Sequence, residues 1–80
     1  MKLCVLFFAG LRDQTGASEF ELEVPGEEAH LSLLTRELCG NFPRLTLHGV
    51  RFAVDEEFTV GDPKLQSGQV LALIPPVSGG

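Results

Sequence analysis

Two apolar runs, one near each end of the chain, restrict the fold more than any other feature. Residues 2–9 (KLCVLFFA) and residues 69–74 (QVLALI) are almost continuously hydrophobic and rich in residues that favour β-strands. A strand that is apolar on both faces is covered on both sides or lies at the centre of a sheet. The two runs therefore predict two central strands that lie next to each other.

The segments between these runs predict three further strands. Residues 18–24 alternate strictly, as a half-buried strand does, and their short connection to residues 2–9 predicts antiparallel pairing. Glutamates occupy one face and apolar side chains the other: Glu19, Glu21 and Glu23 against Phe20, Leu22 and Val24. Residues 50–54 and the short stretch 58–60 are predicted strands on either side of a turn at residues 55–57.

One segment, at about residues 30–40, has the period of an amphipathic helix. Its apolar stripe comprises Leu31, Leu34, Leu38 and Phe42. Gly40 suits the position just after a helix, where a left-handed conformation is common, and Pro43 follows it. Leu33 falls opposite the stripe, so the pattern predicts that its side chain is exposed.

The order of these elements, β-β-α-β-β-β, predicts an α+β fold of the ubiquitin-like β-grasp type. In this fold a mixed sheet of about five strands packs on one main helix. We expect one domain over residues 1–80, since 80 residues leave no room for a second. Leu65, in a loop that ends at Gly68, is predicted to anchor that crossing to the core.

Charge and cysteine content restrict the partners and the compartment. Eleven acidic residues against six basic ones give a net charge of −5, which argues against nucleic acid and favours a partner with a basic surface. Cys4 and Cys39 form no C-x-x-C pair and predict buried, reduced thiols in the cytoplasm. The run at residues 2–9 is too short to span a membrane.

The body of the chain offers no arrangement of catalytic residues. His30 and His48 have no evident partners for nucleophilic catalysis, and the glycines match no phosphate-binding loop. The three glutamates of residues 18–24 could attract a cation, but a solvated strand face is the simpler reading because other oxygen ligands are missing. We therefore predict no metal site, no bound cofactor and no catalytic site in the body.

What remains is the end of the chain: Pro75, Pro76, Val77, Ser78, Gly79 and Gly80. Two prolines stiffen the exit from the fold, and two glycines suit a narrow channel, so residues 75–80 predict an extended, flexible functional tail that threads into partner proteins. The Gly80 carboxylate is a poor electrophile unless it is activated, for example by adenylation. The activated acyl group could then react with an amine or with sulfur. Leu73 and Ile74, just before the tail, are candidate interface residues.

Three stretches resemble the family of small sulfur-carrier subunits of molybdopterin synthase. Residues 8–16 (FAGLRDQTG) resemble its FA-x-LRE-x-x-G segment, residues 53–57 (AVDEE) its AVN-x-E hairpin, and residues 75–80 its PPVSGG ending. The likeness covers essentially the whole chain, and the ending is its most specific part. The chain departs from the family pattern at Asp13, where glutamate is usual, at Asp55, where asparagine is common, and at Gln69, where aspartate is usual.

The resemblance implies a non-catalytic subunit that serves as a co-substrate. An E1-like enzyme would adenylate Gly80 with ATP, and a sulfur donor would convert it to a thiocarboxylate. The tail would then enter the large catalytic subunit, within a heterotetramer, and give its sulfur to a pterin precursor of the molybdenum cofactor. Three alternatives stay open from the sequence: sulfur carriage for thiamine synthesis, sulfur carriage for tRNA thiolation, and a role as a ubiquitin-like protein modifier.

Overall fold

The computed structural model describes residues 1–76, which form seven strands and two helices. In chain order these are β1 (Lys2–Phe7), α1 (Gly10–Thr15), β2 (Glu19–Glu23), β3 (Glu28–His30), α2 (Leu31–Asn41), β4 (Arg51–Val54), β5 (Glu57–Phe58), β6 (Lys64–Gln66) and β7 (Val70–Ile74). The five strands predicted from the sequence correspond to β1, β2, β4, β5 and β7. Residues 11–16, whose sequence indicates a loop or a single helical turn, fall largely within α1.

The two apolar strands lie side by side at the centre of a five-stranded sheet with the order β2-β1-β7-β4-β5. β1 pairs with β7 in parallel and with β2 antiparallel, and β4 is antiparallel to β7. The sheet is therefore mixed, as predicted. Because β7 has a partner on each side, the last ordered strand of the chain is held at both edges by backbone hydrogen bonds.

Helix α2 covers one face of this sheet, and the core lies between them. The largest fully buried side chains come from both layers: Leu3, Val5, Phe7, Leu22, Leu34, Leu38, Leu65, Leu71 and Leu73. Phe42, just after α2, packs edge-on against Phe7 and Phe20, with ring centroids 5.4 and 4.8 Å apart. Truncation of a fully buried leucine such as Leu34 to alanine typically costs about 2–5 kcal/mol of folding free energy.

Two predictions about this helix are wrong. Gly40 lies within the last turn rather than after the helix, which runs on to Asn41 and is followed by Phe42 in a non-left-handed conformation. The helix is therefore shifted by one residue from the prediction, and Phe42, which follows it, makes the aromatic contact with Phe20. Leu33 is half-buried rather than exposed, because it packs against the edge of the core.

A second, two-stranded sheet, which the sequence analysis missed, joins β3 to β6. Ala29 lies opposite Leu65, and Leu65 is fully buried, so the prediction that Leu65 anchors this crossing is confirmed. Both strands have only three residues, too few for a strand pattern to show in the sequence. The small sheet ties the start of α2 to the connection between β5 and β7.

The start of α2 is capped from a distant part of the chain. His30 precedes the helix and its side chain makes no capping hydrogen bond. Instead, the Ser32 backbone N–H and hydroxyl donate to the two carboxylate oxygens of Asp62, at 2.8 and 2.7 Å. These hydrogen bonds lower the pKa of Asp62 below its usual value, and the hydroxyl has a larger effect than the backbone N–H. The carboxylate also faces the positive end of the helix dipole.

Smaller differences concern the short strands and the cysteines. β5 covers Glu57 and Phe58 rather than residues 58–60, and Val60 is 94% exposed. Cys4 and Cys39 are free thiols, half-buried rather than buried as predicted. Within residues 1–76, neither helix is long and apolar enough to cross a membrane.

Candidate functional site

The predicted tail begins where β7 ends. Ile74 is the last paired residue, opposite Arg51 of β4. Pro75 is half-buried and Pro76 is exposed, so burial falls across these two residues where the sheet ends. Val77, Ser78, Gly79 and Gly80 lie outside the described residues, and the prediction that they form a flexible, threading tail stays a prediction.

Of the two candidate interface residues, only one is accessible. Side chains alternate along β7, so Leu73 points towards α2 and is fully buried, whereas Ile74 points to the opposite face. The prediction that Leu73 takes part in an interface is therefore wrong, because its side chain fills the core. For Ile74 the prediction stays open, since its side chain is half-buried at the edge of an open surface.

That surface is the sheet face turned away from α2, which we call the open face. Its centre is a row of apolar residues that lie opposite one another across four strands: Leu6, Ala72, Ala53 and Phe58. Together with Phe8, Val70 and Ile74 this row lines a shallow concavity of about 650 Å³. Phe8 and Phe58 are 45% and 54% exposed, which is unusual for aromatic side chains and typical of binding surfaces.

Charged residues border the open face. On one side, the glutamates of β2 lie on the same face, and Glu21 forms an ion pair with Lys2 at 3.5 Å. On the other side, the Arg51 guanidinium lies 4.1 Å from the ring centroid of Phe58, a cation–π contact. An apolar centre with a charged border is the usual composition of a protein–protein interface.

The open face was not predicted from the sequence, although the two strands that are apolar on both faces could have indicated it. Strands apolar on both faces were taken to be central in the sheet, and they are. Within residues 1–76, however, α2 is the one long amphipathic helix, and it covers only one face of the sheet. The second apolar face of the central strands is therefore left without a covering helix in this part of the chain.

Chemically, the described residues offer a docking surface rather than a reaction centre. In residues 1–76 no group of three or more His, Cys, Asp or Glu side chains is arranged to hold a metal ion. The His30 ring lies beside Asp62, with its Nδ1 atom 3.1 Å from the Asp62 carbonyl oxygen and 3.8 Å from a carboxylate oxygen. Any chemistry of the kind predicted from the sequence would belong to the end of the tail.

The mixed sheet, the single main helix and the C-terminus leaving a central strand define a ubiquitin-like protein of the β-grasp class. SAMP1 from Haloferax volcanii superimposes with a TM-score of 0.87 over 100% of both chains at 24% identity. A chain of the complex of subunits 1 and 2 of the molybdopterin-converting factor from Helicobacter pylori superimposes with a TM-score of 0.72. The match covers 100% of this chain and 100% of that chain, also at 24% identity. At this identity the two likenesses bear on the fold alone.

The chain belongs to the ThiS family, which it matches over residues 5–80. It is 35% identical over 82 residues to a molybdopterin synthase sulfur carrier subunit from Arabidopsis thaliana, covering 100% of this chain and 84% of the relative. It is 33% identical over 84 residues to a protein of the same name from Chlamydomonas reinhardtii, covering 100% of both. The resemblance noted from the three sequence stretches is thereby confirmed.

Proposed function

We propose that this chain is the sulfur carrier of a molybdopterin synthase, with Gly80 as the residue that carries the sulfur. The observation that carries this proposal is the identity, over essentially its whole length, to relatives that bear that name. The six-residue ending Pro75–Gly80 supports it, because a terminal Gly-Gly on a stiff root is suited to threading into partner active sites.

Gly80 would be loaded with sulfur in two steps on a partner enzyme. In the first, a carboxylate oxygen attacks the α-phosphorus of ATP, which forms an acyl adenylate and releases pyrophosphate. In the second, sulfur at the oxidation level of sulfide attacks the carbonyl carbon, the bond to AMP breaks and the sulfur's proton passes to solvent. The product is a thiocarboxylate, an anionic sulfur nucleophile at neutral pH. ATP is bound by an E1-like adenylating enzyme, and this chain holds no cofactor of its own.

The thiocarboxylate would then deliver its sulfur in the active site of a large catalytic subunit. The sulfur attacks a carbon of a pterin precursor, and a carbon–oxygen bond at that carbon breaks, with the oxygen leaving as water or phosphate. Hydrolysis of the resulting thioester leaves the sulfur on the pterin and returns Gly80 to a carboxylate ready for another cycle. This chain is thus a recycled co-substrate rather than a catalyst. The catalytic residues belong to the large subunit, with which we expect a heterotetramer.

The open face is the surface we assign to that large subunit. It adjoins Ile74 and the root of the tail, so a partner docked there would lie where the tail enters it. The name of the relatives, a subunit of molybdopterin synthase, supports an assembly with another subunit. The net charge of −5 suits a large subunit with a basic surface, such as a site for a phosphorylated precursor requires.

The loading step is tested by intact-mass spectrometry. Incubation with a cognate adenylating enzyme, ATP and a sulfur source should replace one oxygen of this chain with sulfur, and a variant lacking Gly80 should stay unchanged. An unchanged wild-type mass, while a control carrier reacts in the same mixture, would contradict the proposal.

Two further readouts separate the proposed function from the alternatives. A protein modifier would leave Gly-Gly remnants on lysines of other proteins after digestion, which peptide mass spectrometry detects. A carrier for thiamine or tRNA thiolation would load sulfur but fail to support formation of the molybdopterin dithiolene with the large subunit. Loading followed by dithiolene formation distinguishes the proposed function from all three.

A further inference from the structure

Gly49 and Pro76 contact each other at the root of the tail, although 27 positions separate them in the sequence. A Cβ atom built on Gly49 would lie 3.2 Å from Pro76 Cγ and 3.4 Å from Pro76 Cβ. The first distance is tighter than an ordinary van der Waals contact and the second is at its limit, so a side chain at position 49 would require Pro76 to shift by a few tenths of an ångström. The proline ring therefore lies against Gly49, partly in the space that a side chain there would need.

Gly49 belongs to a turn that is fixed on both sides. The Val50 N–H donates to the Leu47 carbonyl oxygen at 3.1 Å, and both of these residues pack against the core. Gly49, at the third position of this turn, has a φ of +73°, which suits glycine far better than other residues. The surface on which Pro76 rests is thus part of the rigid body.

The contact extends the path of β7 beyond its last hydrogen bond. Arg51 lies opposite Ile74, and the same antiparallel register, continued by two residues, places Pro76 opposite Gly49. Pro75 and Pro76 have no N–H group, so neither can donate a hydrogen bond that would hold the chain along β4. Packing of the Pro76 ring on Gly49 takes over the role of the missing hydrogen bonds.

The direction set at Pro76 matters because few residues separate it from Gly80. Val77–Gly80 are four residues, and four residues can span at most about 14 Å. An error in the direction of the root cannot be corrected by a long linker. When the body docks on a partner, the end of the tail must reach that partner's active site. The contact between Pro76 and Gly49 therefore has to point the tail in the right direction.

We infer that Gly49 is a positioning residue for the tail: its missing side chain lets Pro76 rest on the turn, and this contact sets the direction in which the tail leaves the fold. The inference rests on the proposed function, since it assigns Gly49 a part in presenting Gly80 to partner active sites. Gly49 does not touch the reacting atoms and acts through Pro76.

The chain offers a matched control for this inference. Gly61 has a φ of +74°, almost the same as Gly49, but a Cβ there would meet nothing within 4 Å. Gly49→Ala and Gly61→Ala therefore impose the same backbone strain, and only Gly49→Ala displaces Pro76. Both should lower the unfolding midpoint in urea by similar amounts.

The functional readout is kcat/KM for sulfur loading by the adenylating enzyme, at a temperature where every variant is folded. Gly49→Ala should lower it about tenfold, as expected for a displaced reacting group, whereas Gly61→Ala should leave it near the wild-type value. Pro76→Ala should also lower it, and the double variant Gly49→Ala/Pro76→Ala should be no worse than the poorer single variant. Three results would each overturn the inference. They are equal kcat/KM values for Gly49→Ala and Gly61→Ala, a wild-type kcat/KM for Pro76→Ala, and a double variant in which the effects of the two single substitutions multiply.

A nuclear Overhauser effect between the Gly49 Hα and Pro76 Hγ protons tests the contact itself, independently of activity. It should be present in the wild type and in Gly61→Ala; its absence from the wild type overturns the inference. If the wild-type chain takes up no sulfur while a control carrier does, the proposed function fails and the positioning role falls with it. If the wild type loads normally and Gly49→Ala loads as Gly61→Ala does, only the positioning role fails.

Discussion

At the scale of single residues, Asp55 connects two departures from the family pattern. Asp55 and Glu56 both have positive φ values, +49° and +72°, as a two-residue hairpin turn requires. The Asp55 carboxylate accepts hydrogen bonds from the Val70 N–H at 2.9 Å and from the Gln69 side-chain amide at 3.1 Å. The sequences that this chain resembles usually have asparagine and aspartate at these two positions, so carboxylate and amide have exchanged places.

This exchange predicts a compensating pair. Gln69→Asp alone should destabilise the fold, because it places two carboxylates side by side, and Asp55→Asn alone should lose the charge-assisted hydrogen bond. The double variant should regain stability, with a coupling of about 0.5–1 kcal/mol for such an exposed pair. Urea unfolding of the four proteins at pH 7 measures the coupling. Additive effects would show that the two departures are independent.

Asp62 gives the fold a pH dependence of known sign. Its pKa is lowered by the hydrogen bonds from Ser32, so the ionised carboxylate stabilises the folded state above the ordinary value of 3.8. This stabilisation is lost as the pH falls through the lowered folded-state pKa. Asp62→Asn should therefore unfold at lower urea than the wild type at pH 7, and the difference should shrink towards pH 3.

Ser32→Ala is a second variant that tests the same hydrogen bonds from the other side. It removes the hydroxyl that donates to Asp62 at 2.7 Å but keeps the backbone N–H that donates at 2.8 Å. Its effect at pH 7 should be smaller than that of Asp62→Asn. A difference between Asp62→Asn and the wild type that stays constant from pH 7 to pH 3 would contradict the assignment of Asp62 as the cap of α2.

At the scale of the elements, the open face is the part of the sheet to which we assign the large subunit. Phe58 of β5 lies on this face beside Arg51, whereas Val60, just after β5, is more exposed and is not among the residues that line the concavity. Phe58→Asp should therefore weaken binding to the large subunit by at least about 1–2 kcal/mol, because it places a charge in a surface that becomes desolvated.

Val60→Asp is the control, since it adds the same charge outside the open face. Calorimetric titration with the large subunit should give nearly the wild-type dissociation constant for this variant. Equal weakening by both substitutions would indicate that negative charge alone disturbs binding. If both variants bind the large subunit with the wild-type dissociation constant, the large subunit docks elsewhere.

The elements also show which features the sequence could predict. β1, β2 and β7 were predictable because their patterns are long and regular, and their pairing followed from apolar content and short connections. β3 and β6 were not, because three-residue strands formed by contact with distant segments leave no local pattern. The cap of α2 was missed for the same reason, since Asp62 lies 30 positions from Ser32.

At the scale of the whole molecule, the proposed function divides the chain into a folded body and an end that would react in partner proteins. The body has a central strand at its C-terminal side, an open apolar face and a turn at Gly49 that contacts Pro76. The functional tail is a prediction from the sequence, made because its glycines and prolines can serve little purpose in a core, and it stays a prediction. The contact between Gly49 and Pro76 could not be predicted, because a close approach to a glycine appears only when distant segments are brought together.

The most direct test of the proposed function compares two forms of this chain, one with a Gly80 carboxylate and one with a Gly80 thiocarboxylate. Each is mixed with the pterin precursor and the large subunit, and dithiolene formation is followed together with the intact mass of the carrier. We expect product only from the thiocarboxylate form, with Gly80 returned to a carboxylate as product appears. Product from the carboxylate form, or none from the thiocarboxylate form while a control carrier supports the reaction, would contradict the account.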